Sequence, residues 1–87
     1  MKAKFLKIFQ KHYKIRILSN KNLDERFEKR FNLFLQNPSN PFLRDHALMG
    51  TIKGLRSFSI TGDIQVTYYI EDETAYFVDI GTHNQIY

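Results

Sequence analysis

Phe5, Phe9, Tyr13 and Ile17 recur every four residues, with Lys7, Lys11, Lys14 and Arg16 falling between them. That spacing predicts an amphipathic first helix with an apolar stripe and a cationic outer side. A strand before it has room only over about residues 1–4. Asn20-Lys21-Asn22 breaks the pattern. Asn22 followed by Glu25 predicts a new helix start, in which the amide oxygen accepts from early helical N–H groups and the glutamate reaches back. Leu23, Phe27, Phe31, Phe34 and Leu35 then line one face of a second helix. Asn37-Pro38 ends it, because the residue before proline is pushed out of the α region. The two helices are expected to form a hairpin whose phenylalanines are core.

After an irregular connector over residues 38–41, the period changes from four to two. Three runs have strand character: Leu55 to Thr61, Ile64 to Ile70 and Thr74 to Ile80. The gaps between them are too short for a crossover helix, so neighbours should pair antiparallel as a meander. Gly62-Asp63 is expected to supply a positive-φ residue at the first tight turn, and Asp72-Glu73 marks the second. Arg56, Phe58 and Ile60 share one face of the first run, and Leu55, Ser57 and Ser59 the other. Ile64, Val66, Tyr68 and Ile70 form an apolar row opposite Gln65, Thr67 and Tyr69. The third run is apolar on both faces, with Tyr76, Val78 and Ile80 on one and Ala75 and Phe77 on the other, and should be the best buried. The expected fold is α+β: a helical hairpin, with or without a short strand before it, packed on a three- to four-stranded antiparallel meander sheet. One sheet face is greasy. The other, with Ser57, Ser59 and Gln65, is where a ligand has room to lie.

Composition limits this picture to one domain over residues 1–87 with a single modest core. Hydrophobic content is 43%, with eight phenylalanines and five tyrosines, which argues for a folded globule. The absence of cysteine rules out disulfides and thiolate metal sites and fits a reducing cytoplasm. The apolar stretches near the basic N-terminus are too short for a secretory or membrane-spanning segment, so no membrane partner is expected. Net charge is +4 and unevenly spread. Seven lysines and arginines precede the first acid, Asp24, and none follows Arg56. That asymmetry suits a polyanion or an acidic partner segment near the first helix, or else a solvated helix face.

Several familiar sites are absent. There is no phosphate-cradling GxxxxGK[ST], no GxGxxG and no strained nucleophile turn around Ser57 or Ser59. His12, His46 and His83 lack metal-ligand spacing, so no metal and no small-molecule cofactor is expected. What remains is a set that could converge at a sheet end: His46, Lys53, Arg56, Asp63, His83 and Tyr87. These are the residue types that a metal-free ribonuclease needs. A base takes the 2′-hydroxyl proton, a cation steadies the phosphorane, and an acid protonates the 5′-oxygen as it leaves. Histidine suits the proton transfers and arginine the phosphate. Taken singly, His46 also reads as a loop hydrogen-bonder, His83 as a strand-end surface residue and Asp63 as a turn former.

Asp45-His46-x-Leu-x-Gly50, Lys53-Gly54-x-Arg56, Asp63 at the hairpin and Asp79-Ile80-Gly81-Thr82-His83 with Tyr87 resemble the RelE/ParE superfamily of toxins from type II toxin–antitoxin systems. The likeness is nearest to its YafQ-like mRNA interferase branch and runs over about residues 44–87. It implies a helical hairpin on an antiparallel sheet, and a ribosome-dependent, metal-independent mRNA endoribonuclease that inhibits translation. It also implies an antitoxin partner and a substrate of mRNA on the ribosome. His46, Asp63, His83 and Tyr87 fall on active-site positions of the pattern, with His83 the general acid and His46 or Tyr87 assisting proton transfer. Lys53 and Arg56 resemble its phosphate-contacting residues. The pattern carries an aspartate and a histidine where this chain has Ser57 and Ser59. The alternative is therefore a relative that acts by binding, through DNA gyrase inhibition or antitoxin pairing alone.

Overall fold

The structure, a computed structural model, describes residues 1–48 and 54–86. Its element order is β1 (Lys2–Phe5), α1 (Lys7–Arg16), α2 (Lys21–Gln36), a 3₁₀ turn (Pro41–Leu43), β2 (His46–Ala47), β3 (Arg56–Ser59), β4 (Ile64–Glu71), β5 (Thr74–Thr82) and α3 (His83–Ile86). The five strands form one sheet in the order β1-β5-β4-β3-β2. The α+β class and the β3-β4-β5 meander are as expected. The strand count and the pairing of the first strand are not. β1 pairs parallel with β5, Lys2 opposite Thr74 and Phe5 opposite Phe77, so the sheet is mixed. Phe5 therefore belongs to a strand, although its ring continues the stripe of α1 by stacking on Phe9 at 5.1 Å. The fifth strand, β2, is a two-residue pairing of His46 with Ser57 and Ala47 with Arg56, too short to leave a periodic signal.

The second helix begins two residues earlier than the capping pattern implied. Asn20, extended at φ −107° and ψ 102°, accepts from the N–H of Leu23 at 3.3 Å. Asn22 lies inside the helix and accepts instead from Nε of Arg26 at 3.1 Å. Asn37 ends the helix in extended conformation, as the following proline requires. The hairpin between β4 and β5 turns on Asp72 and Glu73, with φ 49° and 60°, the paired left-handed residues that match strand twist. The β3–β4 turn works differently. Gly62 does not adopt positive φ; among the described glycines only Gly54 does. The hydroxyl of Thr61 accepts from the N–H groups of Asp63 and Ile64 at 3.1 and 3.0 Å, closing the turn with a side chain.

The strand faces also depart from simple alternation at one point. The register of β4 against β5 shifts between Thr67 and Tyr68, so that Thr67 faces Asp79 and Tyr68 faces Phe77. The extra residue, Val78, is a bulge. Without it Asp79 would point into the core beside Phe77. With it, Ala75, Phe77 and Ile80 are buried together, while Tyr76 stacks on Tyr69 at 5.0 Å on the opposite face. Asp79 then accepts from the N–H of Ile80 at 2.8 Å and meets His12 at 2.6 Å and Arg16 at 3.4 Å. Arg16 also donates to the Ile80 carbonyl at 2.9 Å. These bonds satisfy the edge of β5 beyond the last residue that pairs with β1. The core joins Phe9, Ile17, Phe27 and Phe34 to Phe58, Val66, Tyr68 and Phe77. Leu35 and Ile70, expected on the packed faces, are 36% and 46% exposed, because each sits at the end of its element.

Two phenols tie the helical layer and the connector to their neighbours. Tyr13 donates to Asp24, and Tyr68 to Asp45. Burial first, and then the hydrogen-bonded carboxylate, pushes both hydroxyls well above the ordinary tyrosine range. The stabilisation they lend is complete below about pH 10, the ordinary phenol value. It is lost as pH rises further, because only the unfolded chain releases those protons there. Urea midpoints measured on either side of about pH 10 should show this alkaline fall. Tyr68→Phe and Tyr13→Phe should each flatten it, and an equal fall in both variants would assign it to other groups.

Candidate active site

Residues directly opposite in a ladder point to the same side of the sheet. The register therefore lays His46, Ser57, Thr67 and Asp79 in one row across β2, β3, β4 and β5. Ser59, Gln65 and Gly81 form the next row on the same face. At the end of this polar face an open cleft of about 680 Å³ is lined by His46, Ser59, Thr61, Asp63, Gln65 and His83, among others. Three of the six expected site residues thus meet in one place, although they come from β2, the β3–β4 turn and the start of α3.

Each of the three is held by local chemistry. His46 Nδ1 lies 3.0 Å from the Arg44 carbonyl, so that nitrogen donates and Nε2 of the neutral ring is left as the acceptor. Asp63 is fixed through the Thr61 turn. His83 is the first residue of α3, behind a reciprocal cap. The Thr82 N–H donates to Gln85 Oε1 at 2.8 Å, and the Gln85 N–H donates to the Thr82 hydroxyl at 3.2 Å. Gly81 lies beneath this cap. A Cβ there would come 2.6 Å from Gln85 Oε1 and 2.7 Å from Arg16 Nη1, so a side chain would push aside the Gln85 amide of the cap and the Arg16 guanidinium.

Arg56 lies outside the cleft. Its Nε donates to Asp45 at 2.7 Å, and that carboxylate, only 8% exposed, also accepts from Tyr68. The hydrogen bond that Arg56 donates to Asp45 raises the Arg56 pKa above its usual value. Arg56 thereby locks the residue preceding His46. Lys53 and Tyr87, and Gly50 of the first motif, lie outside the described residues. Ser57 is buried and donates to Gln65 Oε1 at 2.6 Å, orienting an amide that lines the cleft. Ser59 lines the cleft itself. Gln65 is the residue that the expected site omitted, although its place on the polar face beside Ser57 and Ser59 was readable from strand alternation.

A family model, that of the YafQ bacterial toxin of type II toxin–antitoxin systems, matches residues 1–87. The chain belongs to the YafQ family. It is a type II toxin of a toxin–antitoxin system. Solved structures agree on the fold. A copper-bound mutant toxin from Helicobacter pylori is 26% identical with TM-score 0.81, covering 100% of this chain and 99% of its own. E. coli YafQ, 22% identical with TM-score 0.82, covers 98% of this chain and 96% of its own. YafQ in the E. coli DinJ–YafQ complex is similar at 22% identity and TM-score 0.81, with the same coverage. The comparison with curated proteins finds no match. Among the described residues of this chain, no three His, Cys, Asp or Glu side chains group to hold a metal ion. No described helix is long and apolar enough to cross a membrane.

Proposed function

We propose that this toxin is a ribosome-dependent mRNA endoribonuclease that works without a metal and inhibits translation. The observation that carries the reading is the shared cleft of His46, Asp63 and His83. A base, His46 Nε2 assisted by Tyr87, takes the proton of a ribose 2′-hydroxyl. The 2′-oxygen attacks phosphorus, the bond from phosphorus to the 5′-oxygen breaks, and His83 gives that oxygen its proton. The products are a 2′,3′-cyclic phosphate and a 5′-hydroxyl. Asp63 supplies a carboxylate to balance the imidazolium, and Lys53 steadies the phosphorane charge. Arg56 contributes through Asp45 by fixing the approach to His46. The partner in the resting state is an antitoxin, as DinJ is for E. coli YafQ.

Ser57 and Ser59 favour one other reading. They stand where the pattern has an aspartate and a histidine, so two proton-transfer or charge-bearing groups are missing. A toxin without them would act by binding alone, through antitoxin pairing or DNA gyrase inhibition. A coupled translation extract separates the two. Added wild-type protein should stop synthesis and leave the message cut, with cutting absent when ribosomes are omitted. An uncut message, with or without gyrase inhibition in a supercoiling assay, would replace the nuclease with the binding protein.

A further inference from the structure

The arginines of this chain fall into two groups. Arg16 and Arg56 are each paired with a carboxylate, Asp79 and Asp45. Arg26, Arg30 and Arg44 have none within ion-pair distance among the described residues, yet all three line a second cleft of about 410 Å³. Arg26 and Arg30 lie one helical turn apart on α2, and Arg44 follows the 3₁₀ turn with φ 51°. Among the described residues no acidic side chain lines this cleft, and its far wall is formed by residues 59–62. Ser59, Thr61 and Gly62 of that wall also line the cleft of His46, Asp63 and His83, so the two hollows lie on either side of one turn.

Phe42 stands at the rim. Its ring is 72% exposed, the most exposed large apolar side chain among the described residues. Its backbone is nonetheless pinned at both ends. The N–H donates to Asn40 Oδ1 at 2.9 Å, and the carbonyl accepts from Arg30. Pro41 fixes the preceding φ. An aromatic ring presented on an ordered backbone, beside three guanidinium groups without counter-charges, has the two parts of a single-strand nucleic-acid site. One is a cationic track for phosphates and the other a face for a base.

We infer that the Arg26–Arg30–Arg44 cleft binds the phosphodiester backbone of RNA next to the scissile position, with a base stacked on Phe42. This rests on the ribonuclease reading and deepens it by naming a second subsite. The backbone contacted belongs either to the message or to ribosomal RNA, and the chemistry is the same for both. An acidic peptide would also be drawn to the arginines, but it gives Phe42 no planar partner.

The test is the salt dependence of binding. The probes are a short, labelled, 2′-O-methylated RNA, which cannot be cut through its 2′-oxygen, and vacant ribosomes. The variant is Arg26→Gln/Arg44→Gln, which leaves the Arg30 bond to Phe42 intact. Its slope of log affinity against log salt should fall by about 1.4, at roughly 0.7 per lost phosphate contact. Phe42→Ala should weaken binding roughly five- to hundredfold with the slope unchanged. Loss on the oligonucleotide assigns the contact to the message, and loss on ribosomes alone to ribosomal RNA. If wild type fails to cut messages but the arginine variant still loses slope, the subsite stands and the nuclease does not. If wild type cuts while the variant binds both probes with unaltered slope and affinity, the subsite is overturned and the cleft is left to an acidic protein segment. If wild type binds neither probe, the subsite is overturned as well.

Discussion

His83→Ala is expected to lower translation-coupled mRNA cleavage by roughly 10²–10⁴-fold, the usual contribution of a positioned general acid. The 5′-oxygen leaves as an alkoxide unless a proton reaches it in the transition state. Without the imidazole that proton must come from water. The variant should fold normally, because His83 is exposed and the cap that seats it runs through the hydroxyl of Thr82 and the amide of Gln85. Thermal melting of the variant checks that the fold survives. Association with the ribosome should survive too, since only the chemical step is removed. His46→Ala should cost a comparable factor, and the double variant should cost less than the product, because an acid and a base working in one cycle fail together. Single-turnover cleavage on programmed ribosomes measures all three. A His83→Ala protein that cuts at the wild-type rate would remove His83 from the proton transfers and leave His46 or Tyr87 to account for them.

The helices were legible because aromatic residues recur at four-residue spacing while Lys7 and Lys11 occupy the alternate positions that a strand would have placed on the same face. The meander was legible because its gaps leave no room for a crossover. A short first strand was allowed for; what escaped was its parallel pairing, the fifth strand and the bulge, each fixed by a distant partner. β1 is four residues long and is a strand only because Thr74–Phe77 lies alongside it in parallel. β2 is shorter still. The Val78 bulge follows from the need to turn Asp79 out of the core towards His12 and Arg16, residues more than sixty positions earlier. For the site, His46, Asp63 and His83 were legible as types and through resemblance, and the fold gathers them. Arg56 was legible as a cation, but nothing local says that Asp45 and Tyr68 claim it. Arg26 and Arg30 stand at helical spacing on α2 but were not among the expected site residues. Their convergence with Arg44 depends on the Asn40-Pro41 turn, which no periodicity encodes.

Phe77→Ala is the substitution expected to cost the fold most. The ring is fully buried on β5, one of the three strands with neighbours on both sides. Its centroid lies 5.2 Å from Phe5, 5.7 Å from Phe9 and 5.5 Å from Phe31 on one side. On the other it lies 5.6 Å from Phe34, 6.1 Å from Phe58 and 5.9 Å from Tyr68. Among the described residues it is the one ring that touches both the Phe5–Phe9 end of the core and the Phe34–Phe58 end. Truncation removes that bridge and leaves a cavity that rigid aromatic neighbours close poorly, which costs about 3–5 kcal/mol. A domain this small has total stability near the low end of about 5–15 kcal/mol. The urea midpoint should therefore fall by half or more, with a substantial unfolded fraction in buffer alone. Phe77→Leu, which keeps most of the volume, should cost less than about 1.5 kcal/mol. Phe42→Ala should change the midpoint hardly at all, within about 0.5 kcal/mol, because that ring contacts solvent instead of the core. The pair sets two phenylalanines apart by function: one whose loss unfolds the toxin, and one whose loss leaves the fold intact and is felt only by RNA. A midpoint for Phe42→Ala that fell as far as that of Phe77→Ala would make Phe42 a structural residue and take the stacking face away from the arginine cleft.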